Sequence, residues 1–182
     1  MSFPKRYADA VAKLRVPSGF LLAISLIWLA RPTAESLTMG IPISLAGLAL
    51  RAWAAGYLAK NESLAMAGPY SYIRNPLYGG TLLVATGLVI VSVRWELAVL
   101  YTAVFWFVYL PVIELEEQHL LKLFPHYEEY RRRTPLLIPV DRTPPTGQKV
   151  TLFRWDLYMR NEEYKALLAW LAAIVWLSWR SL

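Results

Sequence analysis

The chain has no cysteine, which excludes a disulfide framework, a thiolate nucleophile and any thiolate-held metal. Histidine is nearly as scarce. His119 and His126 are the whole supply, too few for a histidine-built metal site, so no metal is expected. Charge is thin as well: 18% of 182 residues, against 57% apolar residues and a positive mean hydropathy. Soluble domains carry about 25% charged residues, so this composition belongs to a chain that lives in lipid. No G-x-G-x-x-G motif follows a strand pattern anywhere, which excludes a Rossmann-type nucleotide site. Internal repeats and low-complexity tracts are missing too.

What is present is apolar and helical in character. Five segments stand out, roughly Val16 to Ala30, Leu37 to Leu58, Tyr78 to Val93, Leu97 to Ile113 and Ala166 to Trp179. Only the second reaches the ~20 residues a hydrocarbon core asks for; tilt and local thinning make up the rest. The expected fold is an all-α integral-membrane bundle of about five transmembrane helices, a single domain over 1–182. The first segment is preceded by basic residues, as a secretory signal would be. Arg31-Pro32 follows it where small residues would mark a cleavage site, so it reads as a retained span.

The net charge of +6 could point to nucleic acid, but the placement of the basic residues points to topology instead. Of nineteen lysines and arginines, only Arg31, Arg94 and Arg180 fall on one side, and Arg51 falls inside the second segment. All the others lie before the first segment, between the second and third, or between the fourth and fifth. The basic side is the cytosolic one, whether the host is a bacterial inner membrane or the endoplasmic reticulum. That sets the N-terminus inside and the C-terminus outside. No nucleic acid and no obligate protein partner is expected. Trp28, Trp53, Tyr57, Trp95, Tyr101, Tyr109, Trp176 and Trp179 sit near span ends, where aromatic anchors belong.

Two polar stretches, 59–78 and 114–165, therefore face the cytosol and can meet over one end of the bundle. The first runs into GPYSYIRNPLYGG, Gly68 to Gly80. Its prolines fix backbone angles, its glycines allow close approach, and Tyr70, Tyr72 and Tyr78 offer flat faces with polar tips. Such a loop suits a bound ring at a membrane surface, and equally suits a tight turn with tyrosines among headgroups. The second stretch opens on Glu114-Leu115-Glu116-Glu117 at the end of an apolar span. Glu114 and Glu117 share a helix face. Carboxylates there accept from hydroxyl or amino groups of a ligand, or pair with nearby arginines. From Glu114 to Arg133 a helix is expected, broken at Phe124-Pro125, and prolines then make 134–150 extended. Phe124, Tyr127 and Tyr130 pack this helix on the bundle, His119 and His126 read as surface or packing residues, and Arg131-Arg132-Arg133 faces anionic headgroups. Arg51 lies seven residues before Leu58, on the order of 10 Å below the cytosolic end. It is either a functional intramembrane charge or a snorkelling one.

These two stretches together resemble the paired motifs of the integral-membrane methyltransferases that include isoprenylcysteine carboxyl methyltransferases and phospholipid N-methyltransferases. The pattern is Gly-x-Tyr-x-x-x-Arg-His-Pro-x-Tyr-x-Gly, a further span, then Glu-Glu, a phenylalanine, two tyrosines and a proline. In this chain GPYSYIRNPLYGG precedes ELEEQHLLKLFPHYEEYRRRTPLLIP in the same order and at the same spacing, over about residues 60–139. The resemblance implies an enzyme that transfers a methyl group from S-adenosylmethionine to a lipophilic or lipid substrate, with 60–139 as its cofactor-binding core. It implies a cofactor site of Leu64, Ala65, Tyr70, Asn75, Pro76, Tyr78, Glu116 and Glu117. Asn75 departs from the pattern's histidine, and Val112 stands where carboxyl methyltransferases carry an arginine. Arg51 is then the candidate for holding an acidic substrate group, and Glu114 and Glu117 are candidates for a catalytic base. Two other readings share some of the residues: an NADPH-dependent membrane reductase of the sterol type, and a non-enzymatic membrane adaptor.

Overall fold

The computed structural model describes residues 3–139 and 152–182, and no strand occurs among them. The extended stretch expected over 134–150 lies, from residue 140 on, outside the described residues. A short amphipathic helix, α1 (Lys5–Ala12), meets α2 (Arg15–Leu29) at a bend of 54°. Helix α3 (Ala34–Ala55) starts at Thr33, whose hydroxyl accepts from the Ser36 amide while the Ser36 hydroxyl accepts from the Thr33 amide. This reciprocal cap satisfies two of the free amides that any helix start leaves. Helix α4 (Pro76–Ser92) has Pro76 at its first position, where the missing amide hydrogen costs nothing.

Helices α5 (Trp95–Val104) and α6 (Leu110–Leu123) join through a widened π-turn, Phe105–Tyr109, into one rod of 29 residues. Pro111 accounts for the irregularity. It cannot donate to the Phe107 carbonyl, and its ring crowds that turn. Tyr7 of α1 donates to that carbonyl at 2.7 Å instead. The rod ends at Phe124, extended before Pro125 as residues preceding proline are. Then come α7 (Tyr127–Arg133), α8 (Trp155–Arg160) and α9 (Tyr164–Arg180).

The tightest pair is α3 against α4, joined along a seam of small residues. A Cβ added to Gly47 would stand 2.6 Å from the Gly80 carbonyl oxygen, and one on Gly80 would stand 2.5 Å from Arg51 Cγ. Ser44 bridges the helices by donating to Val84 O at 3.2 Å. Close backbone approach through small residues is how helices associate where lipid removes the hydrophobic drive.

Chain direction alternates through α2, α3, α4, the α5–α6 rod and α9. At one end the Arg31 amide donates to Ser92 O at 2.8 Å, Ser36 donates to Val91 O at 2.9 Å, and Arg94 donates to Leu29 O at 2.9 Å. Arg180, closing α9, donates to Ile27 O there. Ala30, Val91 and Leu177 form the buried core at this end. The opposite end gathers the polar residues. Among the described residues two helices, α3 and the rod, are long and apolar enough to cross a membrane, or three if α1 and α2 form one bent span. The count of five expected from sequence is not reached by length alone, because α4 and α9 have only 17 residues each.

Candidate functional site

The polar end is built by docking the 68–80 loop onto the segment that follows α6. Gly68 takes a positive φ of 59° and opens a single helical turn, Gly68–Ser71. The Tyr130 hydroxyl donates to the Tyr70 carbonyl at 2.7 Å. The amides of Arg74 and Asn75 donate to Pro135 O and Leu136 O at 2.9 and 3.2 Å. Arg74 Nε lies 3.1 Å from Glu117 Oε1, both side chains largely buried, and its Nη1 donates to Arg131 O at 3.0 Å. The two polar stretches therefore do meet, as expected. Burial pushes the phenols of Tyr70, Tyr127 and Tyr130 well above the usual tyrosine range. They stay protonated, so they serve as hydrogen-bond donors.

Between loop, rod and α3 lies a cavity of about 520 Å³, within the range of small-molecule sites. Leu64, Ala65, Tyr70, Asn75, Pro76, Tyr78 and Glu116 all line it, with Arg51 at its floor. Tyr78 donates to Glu116 Oε1 at 2.9 Å, and Arg15 donates to the same oxygen at 3.1 Å while lying 5.2 Å over the Tyr78 ring. The Asn75 side chain precedes α4 yet makes no capping bond, and its buried Nδ2 has no partner. An orphaned donor in a cavity wall, beside aromatic faces and a carboxylate, fits a nucleoside-like ligand rich in acceptors and hydroxyls.

Glu114 and Glu117 stand apart. Glu114 Oε2 accepts from the Phe3 amide at 3.1 Å, Glu117 is engaged with Arg74, and neither lines the cavity. Their positions on α6 explain this, since only Glu116 faces the cavity from that turn. His119, Phe124, Tyr127 and Tyr130 do line it, the two tyrosines being buried. The Arg131-Arg132-Arg133 run is partly balanced by Glu128 and Glu129 on the same helix.

Residues from the far end of the chain complete the walls. Asn161 donates to Ala55 O and Leu58 O, both at 2.9 Å, tying the turn that follows α3 to the C-terminal segment. The Arg154 amide donates to Gly56 O at 3.0 Å, with the Phe153 ring against Gly56. Glu163 takes Arg51 in a parallel fork, Nε to Oε2 at 2.9 Å and Nη2 to Oε1 at 2.8 Å. Arg51 Nη1 donates to Leu77 O at 3.3 Å and to the Thr81 hydroxyl. The fork that was the candidate for an acidic substrate thus already holds a carboxylate of the chain. A second cavity, about 480 Å³ and almost wholly apolar, opens among α2, α3, α4, α5 and α9. Arg51 and Thr81 line both cavities. Sequence reasoning placed nothing at Asn161 or Glu163; the available signal was that an arginine within a span needs a counter-ion.

The chain is 38% identical over 106 residues to the cobalt-zinc-cadmium resistance protein CzcN of Cupriavidus metallidurans, covering 57% of this chain and 49% of that protein. It is 33% identical over 103 residues to the nickel-cobalt-cadmium resistance protein NccN of Alcaligenes xylosoxydans xylosoxydans, covering 56% and 47%. Against the protein-S-isoprenylcysteine O-methyltransferase of Schizosaccharomyces pombe it is 32% identical over 82 residues, 44% of this chain and 35% of that one. The chain spans about half the length of the first two and a third of the last. No solved structure matches it. The family model for phospholipid methyltransferase matches residues 18–127, which carry α2 through α6 and the 68–80 loop, and the chain belongs to that family.

Proposed function

We propose that the chain is an integral-membrane methyltransferase that moves a methyl group from S-adenosylmethionine to an acceptor with an apolar tail. The observation that carries this reading is the pair of cavities, one polar and one apolar, sharing Arg51 and Thr81 as common lining. A polar cofactor entering from water and a lipophilic acceptor entering from the bilayer meet in such an arrangement. Tyr70 and Tyr78 supply ring faces, Asn75 an unpaired donor, and Glu116 a carboxylate for hydroxyl or amino groups. Leu64, Ala65 and Pro76 shape the wall. When bound, the sulfonium cofactor supplies an electrophilic methyl carbon. The protein's part is to hold both reactants in line and exclude water, worth roughly 7–11 kcal/mol of the barrier at best.

Glu114 and Glu117 take no part in this reading, being held by Phe3 and Arg74. Family membership favours methyl transfer over nicotinamide-dependent reduction, and two cavities with common lining favour an enzyme over an adaptor. The alternating directions of α2, α3, α4, the rod and α9 support five spans, with the polar end cytosolic. Calorimetry on the full chain in detergent, with S-adenosylmethionine and its demethylated product, is the direct test. Binding of both is expected; a folded preparation that binds neither overturns the proposal.

A further inference from the structure

We infer that Glu163 is a specificity-determining residue: by filling the Arg51 fork it makes the meeting point of the two cavities neutral and bars acceptors with an anionic head. The inference rests on the methyltransferase reading for the word acceptor, but its physical content is charge selection by the apolar cavity.

Among the described residues, Arg51 is the only charged side chain lining that cavity. Four of its five N–H donors are taken, two by the oxygens of Glu163, one by the Leu77 carbonyl and one by Thr81. The side chains of Arg51 and Glu163 are 23% and 10% exposed, so the pair is screened little by water. The other guanidiniums lining the polar cavity also have carboxylates beside them, though without such a fork: Arg15 makes a single, half-exposed contact with Glu116, and Arg74 Nε lies 3.1 Å from Glu117 Oε1; the remaining cation, Lys60, is exposed. A carboxylate, sulfonate or phosphate brought to Thr81 from the apolar side would meet a neutral pair whose fork is already filled. It would add one unbalanced negative charge in a medium that stabilises it poorly. An uncharged head adds none. With the carboxylate of Glu163 removed, the same fork faces the cavity as an unmatched cation, the preferred partner for planar oxyanions.

Glu163 also lies outside residues 18–127, the stretch that matches the family. It stands directly before α9, which sets Ala166, Ala169, Trp170 and Ala173 along the apolar cavity at helical spacing. Charge selection and one wall of the apolar cavity are thus delivered together by the C-terminal segment.

The test uses the full chain in lipid nanodiscs and two probes with the same tail, ω-brominated dodecanol and ω-brominated dodecanesulfonate. Bromine quenches tryptophan fluorescence at contact, and the part of the quench lost in Trp170→Phe reports this cavity. In the wild type the sulfonate should bind roughly tenfold more weakly than the alcohol, or worse. In Glu163→Gln the ratio of sulfonate to alcohol affinity should rise by roughly tenfold, and adding Arg51→Gln should abolish that rise. Equal affinity of the wild type for the two probes overturns the inference, as does an unchanged ratio in folded Glu163→Gln. If that variant does not fold, the wild-type ratio decides alone. Calorimetry with S-adenosylmethionine on the same preparation separates the two claims. Charge discrimination without cofactor binding supports the inference and overturns the methyltransferase reading; cofactor binding without discrimination does the reverse.

Discussion

Asn75 occupies the position before α4 at which an asparagine side chain ordinarily caps the first helical amides, yet it makes no such bond and leaves Nδ2 buried and unpaired. A donor kept from the backbone and buried without a partner is a cost unless a ligand uses it. Replacing Asn75 with alanine should therefore leave thermal stability within about 0.5 kcal/mol of wild type, because no bond within the protein is lost. The same change should weaken S-adenosylmethionine binding by roughly fivefold to tenfold, the worth of about one hydrogen bond. Calorimetry and thermal melting of the variant check both halves; a large stability loss with unchanged affinity would assign Asn75 to the fold. Residues of this kind were legible because a polar, proline-rich loop between apolar runs announces itself locally. Glu163 was not legible. Its partner lies 112 residues away, and beside Glu162 it looks like half of a solvated pair. The division of labour among Glu114, Glu116 and Glu117 was equally hidden, since it depends on where Phe3, Tyr78 and Arg74 arrive.

Among helices, the apolar runs placed α2, α4 and α9 within two residues at each end. The apolar run from Leu97 to Ile113, continued by a helix from Glu114 to the break at Phe124-Pro125, matches the rod; nothing in it signalled the π-turn, because Pro111 acts through a carbonyl four residues earlier. The small-residue seam between α3 and α4 was written in the sequence as Gly40, Ser44 and Gly47 opposite Gly80 and Gly87, but which helix each would face was not. That seam sets the site, because Gly80 is what lets α4 lie against Arg51. Gly47→Leu should accordingly cost several kcal/mol and disorder the Arg51–Glu163 pair, since the new side chain meets the Gly80 carbonyl and the Val84 amide; overpacking of this kind typically costs about 1–3 kcal/mol and more when backbone must move. Gly19 has open space around its Cβ position, so Gly19→Ala should be neutral or stabilising by up to about 1 kcal/mol. Thermal unfolding of the two variants in the same detergent checks the contrast, and equal effects would dissolve the argument for a seam.

At the scale of the whole molecule the question is how many times the chain crosses. Among the described residues, length and apolarity mark only α3 and the rod, with α1 and α2 as a bent third, whereas alternating direction and the placement of charge argue for five. The short helices are compatible with five, because α9 ends on Arg180 with Trp179 beside it and α4 ends on Val93-Arg94-Trp95, residues that reach to an interface and shorten the span required. With five crossings, α4, the rod and α9 all lie between the 59–64 turn and residue 182, which then face opposite sides; if α9 does not cross, two crossings remain and both face the same side. The absence of cysteine makes this directly measurable, since one thiol can be introduced without background. Ser63 and Leu182 are both exposed. In intact spheroplasts a membrane-impermeant maleimide should label the Leu182→Cys variant and should label Ser63→Cys only after permeabilisation. Labelling of both from the same side would make α9 an interfacial helix. The apolar cavity would then lose its Ala166–Ala173 wall to the membrane surface, and the junction at Arg51 would open to water.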